Sequence, residues 1–264
     1  MKRFFPVFLS AMLGSNILAC ATRPPAVTAP APVAKPVATV PAVVAPGGSG
    51  VHPLKNPSGP WTFTYTPGTY RYAIVTTAKL ALQTDTTVKR DLPMVSEQAS
   101  ITVTKSGDVR VIDPAPSTSV VCDTIAALVT RAQQLLPKVP EQLTADSVWS
   151  DSLVTTGCRG SIPTTVKAIY NYTVLHDTLY EGTEALHVKR SDVLTAQGAG
   201  SEGQHQISLA ASGSGTMDFY LDVTSGLLLG SITNQVTKLD ITTSGQTGHF
   251  LQYVTEQVAL AKTP

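Results

Sequence analysis

From Trp61 onward, apolar and polar residues alternate along most of the chain, which is the pattern of half-buried β-strands. Two stretches show the alternation most clearly. Their apolar positions are Val166, Ala168, Tyr170, Tyr172 and Val174 in the first, and Met217, Phe219, Leu221 and Val223 in the second. The turn signals between such stretches are short, so neighbouring strands are expected to pair antiparallel. The pattern predicts a mainly β fold, a curled antiparallel sheet or open half-barrel of about nine or ten strands.

One segment near the middle of the chain departs from this two-residue period. Its apolar residues are spaced by four and three positions, at Val121, Ile125, Leu128, Ala132 and Leu135. This spacing places them on one face of a helix, and Pro137 is a natural end to it. We therefore predict one amphipathic helix over about 119–136, with its apolar face buried on the concave side of the sheet.

The N-terminal region has the features of an export signal. Lys2 and Arg3 precede a mostly apolar stretch, residues 4–19, that is too short to span a bilayer comfortably. This stretch ends in Ile17-Leu18-Ala19, and Cys20 follows it. Together these four residues resemble the lipobox of bacterial lipoprotein precursors. The resemblance implies a signal peptide over 1–19 and a mature protein that begins with Cys20, modified by fatty-acyl chains such as palmitate.

The residue after that cysteine bears on the destination of the protein. Ala21 stands where an aspartate would, by the same resemblance, favour the inner membrane, so an outer-membrane anchor with the domain facing the periplasm is expected. Two alternatives remain open: an ordinary signal peptide with an incidental cysteine, and a buried structural Cys20.

The segment that follows, residues 20–60, is rich in Ala, Pro, Val and Thr, with ten prolines and a Gly-Gly-Ser-Gly run. Proline fixes φ and removes a backbone donor, so neither helix nor sheet is expected there. The composition predicts a semi-extended, disordered tether between the lipid anchor and a single β domain over 61–264.

The two other cysteines, Cys122 and Cys158, form an even remainder once Cys20 is assigned to the anchor. An exported chain meets an oxidising compartment, so we predict a disulfide between them. A redox role is disfavoured because the chain has no Cys-x-x-Cys motif.

Charge and motifs exclude several classes of function. Residues 61–264 hold 14 basic and 18 acidic residues, a formal charge of −4 without basic clusters, which argues against nucleic-acid binding. The five histidines lack metal-site spacing, and no cofactor motif is present. The stretch Ala199–Gly203 mimics a nucleophile elbow, but it lacks the flanking strand and helix that such a site needs. We therefore expect neither an enzyme nor a bound metal or cofactor.

The order of elements over about 65–260 resembles the half-barrel of periplasmic lipoprotein carriers and their outer-membrane receptor, the LolA/LolB-like fold. The hairpin turn with Asp222 and Gly226 is similar to one common in such envelope domains. The resemblance implies a sheet that wraps a helix around an apolar cavity, hence a lipid or other apolar ligand. The candidates for lining that cavity are Val121, Ile125, Leu128, Leu135, Phe219 and Leu221. The alternative is a structural lipoprotein that docks another envelope protein.

Overall fold

The computed structural model describes residues 51–53, 59–115, 122, 124–137, 139–159 and 162–261. The predicted signal peptide, Cys20 and most of the predicted tether lie outside the described residues. Among the described residues, no helix combines the length and the hydropathy needed to span a membrane.

The structure is mainly β, with thirteen strands and one helix in the described parts of the chain. The strands are β1 (Val51–Pro53), β2 (Trp61–Thr62), β3 (Gly68–Leu82), β4 (Asp85–Asp91), β5 (Val95–Val103), β6 (Val109–Asp113), β7 (Gln142–Leu143), β8 (Val148–Arg159), β9 (Ile162–Tyr180), β10 (Thr183–Glu202), β11 (His205–Asp222), β12 (Leu228–Thr243) and β13 (Gln246–Leu260). The helix is α1 (Thr124–Ala132).

Eleven of these strands form one sheet in which every pairing is antiparallel. Nine follow the order β1-β9-β10-β11-β12-β13-β3-β5-β6, while β4 pairs with β3 and β8 pairs with β9. The sheet curls into a half-barrel, which confirms the predicted curled antiparallel sheet. The short strands β2 and β7 form a separate pair.

The inner face of the half-barrel carries two apolar clusters, one toward each end of the strands. The large cluster includes Ile74, Leu128, Leu135, Tyr172, Leu186, Val188, Met217, Phe219, Leu221 and Leu228. The small cluster includes Leu80, Ile162, Ala196, Ile207, Leu209, Leu239 and Phe250. Between the clusters, the cross-strand register brings polar side chains onto the same face. This polar belt comprises Arg190, Asp192, Gln235, Thr237 and Gln252.

Helix α1 spans the gap between the two ends of the sheet, because it contacts β5 near one end and β8 at the other. It is shorter than the predicted helix, which is not confirmed over 119–136. The helix ends at Ala132. The residues that follow it form turns, in which backbone N–H groups donate to the carbonyls of Val129, Arg131 and Ala132. The buried Leu135 therefore lies in a turn after the helix rather than on its face.

A disulfide joins Cys122, just before the helix, to Cys158 near the end of β8, and confirms the predicted pairing. The two residues are 36 positions apart, and their Cα atoms lie 5.2 Å from one another. Closing a loop of that size stabilises a fold by roughly 3–4 kcal/mol through the entropy of the unfolded chain. The bridge ties the start of the helical segment to the edge of the sheet.

The short strand β1 belongs to the segment predicted to be a tether without regular structure. Val51, His52 and Pro53 nevertheless pair with Tyr180, Leu179 and Thr178 of β9. Proline is compatible with this position because a strand at a sheet edge can leave one donor unpaired. The chain thus joins the sheet before the predicted start of the domain at residue 61.

Strand β11 carries inner-face glycines at the level of the polar belt. A Cβ atom on Gly213 would lie 2.5 Å from the Val236 carbonyl oxygen, and one on Gly215 would lie 2.8 Å from that of Asn234. Both contacts involve the backbone of β12, which cannot rotate away as a side chain would. Glycine therefore permits the close approach of these two strands in the curled sheet.

We expect Gly213→Ala to lower the free energy of unfolding by about 2 kcal/mol, since the added methyl group overpacks against the backbone of β12. Urea unfolding followed by circular dichroism measures the change. The matched control is Ser212→Ala, because Ser212 is exposed on the opposite face of the same strand. A Gly213→Ala change of less than about 0.5 kcal/mol, as for an ordinary surface substitution, would contradict the role given to this glycine.

Candidate functional site

Three neighbouring strands at one side of the half-barrel each place two side chains on its inner face. β8, β9 and β10 contribute a mixture of aromatic and charged residues. The cross-strand register aligns them in two rows, Trp149–Tyr172–Arg190 and Asp151–Tyr170–Asp192. We call these six residues the inner grid. The grid borders the large cluster and extends into the polar belt.

The aromatic half of the grid is a stack of rings. Trp149 lies flat on Tyr172, with the ring centroids 4.7 Å apart and an interplanar angle of 5°. Tyr170 meets Tyr172 edge-on at 6.3 Å, and Phe219 of β11 lies 6.2 Å from Tyr172 on its other side. Burial raises the pKa of Tyr172 to about 12, so its hydroxyl stays protonated at physiological pH.

Arg190 packs its guanidinium among these rings. Its Cζ atom lies 4.4 Å from the centroid of Tyr170 and 5.5 Å from that of Phe219, within the range of cation–π attraction. The Nε atom of Arg190 stands 3.8 Å from Oδ1 of Asp192, close enough for ion pairing but too far for a direct hydrogen bond. Both atoms are buried and have no hydrogen-bond partner among the described residues.

The Asp192 carboxylate is the most deeply buried charge of the grid, with 4% of its side chain exposed. Burial raises its pKa above the ordinary value, against the opposing effect of the Arg190 guanidinium. Gly215 lies directly across from it on β11, where a Cβ atom would come within 3.2 Å of Oδ1. The glycine therefore keeps side-chain atoms away from one side of this carboxylate.

The grid is accessible from the edge of the sheet. Trp149, Asp151 and Tyr170 are half-buried, whereas Tyr172 and Asp192 behind them are buried. In the described part of the chain, no strand pairs with the other edge of β8. A molecule entering at this edge would meet the half-buried residues first and the charged pair behind them.

A second cluster of charges on the inner face has a different character. Arg131, in the last turn of α1, contacts Glu97 at 2.7 Å, Glu256 at 3.5 Å and the Thr76 hydroxyl at 3.1 Å. Its guanidinium thus has partners on β5, β13 and β3. This arrangement fixes the C-terminal end of the helix to the sheet, so we assign it a structural role.

The structure brings together four of the six residues predicted to line a cavity. Leu128, Leu135, Phe219 and Leu221 are buried in the large cluster. Only Phe219 among these four also contacts the grid through described ring or cation–π contacts. The other two predicted residues are not part of the cluster.

Ile125 was predicted to line the cavity, and this prediction is wrong because 46% of the residue is exposed. The buried stripe of the helix runs through Leu128, Val129 and Ala132, and Ile125 lies in the exposed first turn before it. Val121 lies outside the described residues.

The alternation in the sequence predicts that Tyr170 and Tyr172 share one strand face, but it does not predict the grid. The available signal was three short alternations, Trp-x-Asp at 149–151, Tyr-x-Tyr at 170–172 and Arg-x-Asp at 190–192. An arginine and two aspartates at positions facing a sheet interior are unusual, since charged groups are rarely buried without partners. Their alignment, however, depends on a strand register that the sequence does not show.

Other candidate sites are weaker. Among the described residues, no group of three or more His, Cys, Asp or Glu side chains could hold a metal ion. An open groove of about 470 Å³ lies along β10, β11 and β12, lined mainly by small or polar residues such as Ala199, Ser208 and Ala210. Along these strands, the groove lies far from helix α1 and from the residues predicted to bind a ligand.

Comparisons with known proteins do not assign a family. The chain matches no protein-family model and no curated protein. One solved structure, a loop L8 deletion mutant of OmpT, an outer membrane protein of Vibrio cholerae, is 9% identical over 74% of this chain and 99% of that chain. The TM-score of 0.14 is too low to support an inference about fold or function.

We predict that Asp192→Asn becomes more stable relative to the wild type as the pH rises. The folded state raises the pKa of Asp192, so wild-type stability falls from pH values near 3.8 up through the raised pKa. Asparagine does not ionise and escapes this loss. Urea unfolding of both proteins between about pH 3.5 and pH 7 measures the difference.

The matched control for this measurement is Asp91→Asn, since Asp91 is exposed and pairs only at the surface with Lys79. Its stability difference from the wild type should vary little with pH. A difference for Asp192→Asn that stays constant, or that favours the wild type at neutral pH, would contradict the burial argument.

Proposed function

We propose that this protein is an outer-membrane lipoprotein with a non-enzymatic binding domain that faces the periplasm. The lipobox-like Ile17–Cys20 and the proline-rich segment after it support an anchored and tethered domain. The ligand is a lipid or other apolar molecule held between helix α1 and the curled sheet, as in the LolA/LolB-like proteins that the element order resembles.

The observation that carries this proposal is that the large apolar cluster continues into the inner grid. Tyr172 and Phe219 belong to the cluster and contact grid residues, while Trp149 and Tyr170 pack against it from the accessible edge. A path of apolar and aromatic surface therefore runs from the edge of β8 to the residues beneath the helix. Ligand pockets are commonly apolar surfaces with a few well-placed polar groups.

The helix is suited to act as a cover for such a ligand. It has only nine residues and lies between β5 and β8, at opposite ends of the sheet. Its attachments include the nearby disulfide and the ion pairs of Arg131. Because these attachments hold both ends of the helical segment, the helix covers the cluster in place and a ligand would enter from the accessible edge of β8.

A second candidate function is docking to another envelope protein. The outer face of the sheet carries exposed Ile169, Val193 and Val236. The register aligns them in one row, with Ser214 between the two valines. Exposed apolar side chains in a row are a feature of interaction surfaces, although three residues make a small patch.

We expect Cys20→Ala to move the protein from the membrane fraction to the soluble fraction when it is expressed in a bacterium with an outer membrane. Stable anchoring needs more than one acyl chain, and the substitution removes the thiol to which they attach. Fractionation and metabolic labelling with palmitate measure the loss. The control is Cys122→Ala with Cys158→Ala, which removes both other cysteines and should leave labelling intact. Labelled Cys20→Ala protein would contradict the anchor.

We expect the purified protein to bind a fluorescent fatty acid and to release it when unlabelled fatty acid is added. Leu128→Ala should weaken binding about tenfold, since about two buried methylene groups account for that factor. The control is Ile125→Ala on the exposed side of the same helix. Circular dichroism confirms that each variant is folded. If the wild type binds no fatty acid or other amphiphile, ligand binding is excluded and docking becomes the preferred function.

A further inference from the structure

We propose that the inner grid binds a hydroxyl-rich, uncharged head group, such as a sugar, on an amphiphile whose chain packs against the large cluster. The inference rests on the proposed function, because it assumes that the inner face holds a ligand. It adds the chemical class of the polar end of that ligand and the residues that select it.

The charged pair of the grid contains two buried atoms without hydrogen-bond partners among the described residues. Nε of Arg190 is a donor and Oδ1 of Asp192 is an acceptor, and 3.8 Å separates them. A single hydroxyl oxygen placed about 2.8 Å from both would accept a hydrogen bond from Nε and donate one to Oδ1. A hydroxyl group thus satisfies both buried atoms at once.

The charges of the grid favour an uncharged head group over a charged one. The grid holds one guanidinium, Arg190 on β10, and two carboxylates, Asp192 on β10 and Asp151 on β8, the two carboxylates being aligned on either side of Tyr170 of β9. A phosphate or sulfate near Arg190 would also approach the carboxylates, and a quaternary ammonium near the carboxylates would approach Arg190. Like charges at such distances oppose binding, whereas hydroxyl groups can both donate to carboxylates and accept from the guanidinium.

The aromatic rings of the grid and Gly215 also suit a sugar head group. The half-buried Trp149 and Tyr170 border the charged residues, Trp149 stacked on Tyr172 and Tyr170 beside the Arg190 guanidinium, and the apolar ring carbons at this edge suit contact with the C–H groups of a sugar. Gly215 keeps side-chain atoms away from the Asp192 carboxylate on the side opposite β9. These features lie beside the apolar path to the large cluster, so one amphiphile can contact both.

The test compares four amphiphiles that share a dodecyl chain: dodecyl maltoside, dodecylphosphocholine, dodecyl sulfate and dodecyltrimethylammonium. Each is titrated below its critical micelle concentration against the protein loaded with fluorescent fatty acid. We expect dodecyl maltoside to displace the probe at least about tenfold more effectively than the others, a factor that one well-placed polar contact supplies. Free maltose lacks the chain and is expected to bind at least about a hundredfold more weakly than dodecyl maltoside.

Substitutions then test whether the grid causes the preference for dodecyl maltoside. Asp192→Asn should lower the affinity for dodecyl maltoside about tenfold and leave that for dodecylphosphocholine unchanged. The matched control is Asp218→Asn, because Asp218 pairs with His187 on the outer face of the same sheet. The same displacement of the fluorescent fatty acid measures the affinity of each variant for each amphiphile.

The outcomes separate this inference from the proposed function. Equal displacement by all four amphiphiles would overturn the sugar assignment while the binding function stands. If the preference for dodecyl maltoside survives Asp192→Asn, the grid is not the site of sugar binding. If free maltose binds as tightly as dodecyl maltoside, the ligand is not an amphiphile. Displacement by none of them, together with no fatty-acid binding, would defeat the proposed function itself.

Discussion

The interior of this half-barrel depends on the close approach of β11 and β12 at Gly213 and Gly215. A side chain at either position would press on the carbonyl oxygen of the neighbouring strand. Because the two strands lie in the middle of the strand order, their geometry affects how far the two ends of the sheet curl toward each other. That curl brings β5 and β8 within reach of one short helix, and the helix then buries the large cluster.

The inner face of the sheet also holds charged side chains, and the burial of charge without partners lowers the stability of the fold. Arg131 and Arg190 both lie inside the curled sheet, but their surroundings differ. Arg131, which is partly exposed, has three partners at hydrogen-bond or ion-pair distance, so its charge is well compensated. Arg190 and Asp192 leave Nε and Oδ1 without partners in the described residues, although they are neighbours. A buried polar atom without a partner destabilises a fold, and such costs tend to persist at functional sites.

Much of the fold could be predicted from the sequence, because alternation is a local property. The inward positions of β9 and β11 follow directly from it, and so does the antiparallel pairing that short turns require. The disulfide also followed from counting cysteines. The helix was harder, since the apolar spacing continues through Leu135 although the chain leaves the helix after Ala132. Periodicity does not show where tertiary contacts take over from helical hydrogen bonds.

The inner grid could not be predicted in this way, because it depends on register between strands that are not local to one another. A register shift at His187/Val188 lies between the β9–β10 turn and Arg190, so counting back from that turn misaligns the rows by one residue. The strand from the predicted tether was missed for a similar reason. Proline argues against regular structure, but the edge of β9 offers unpaired groups beyond the end of β8. β1 and β8 consequently share the edge of the strand that carries Tyr170 and Tyr172. The chain segment leading from the proposed anchor therefore joins the sheet on the side from which the grid is reached.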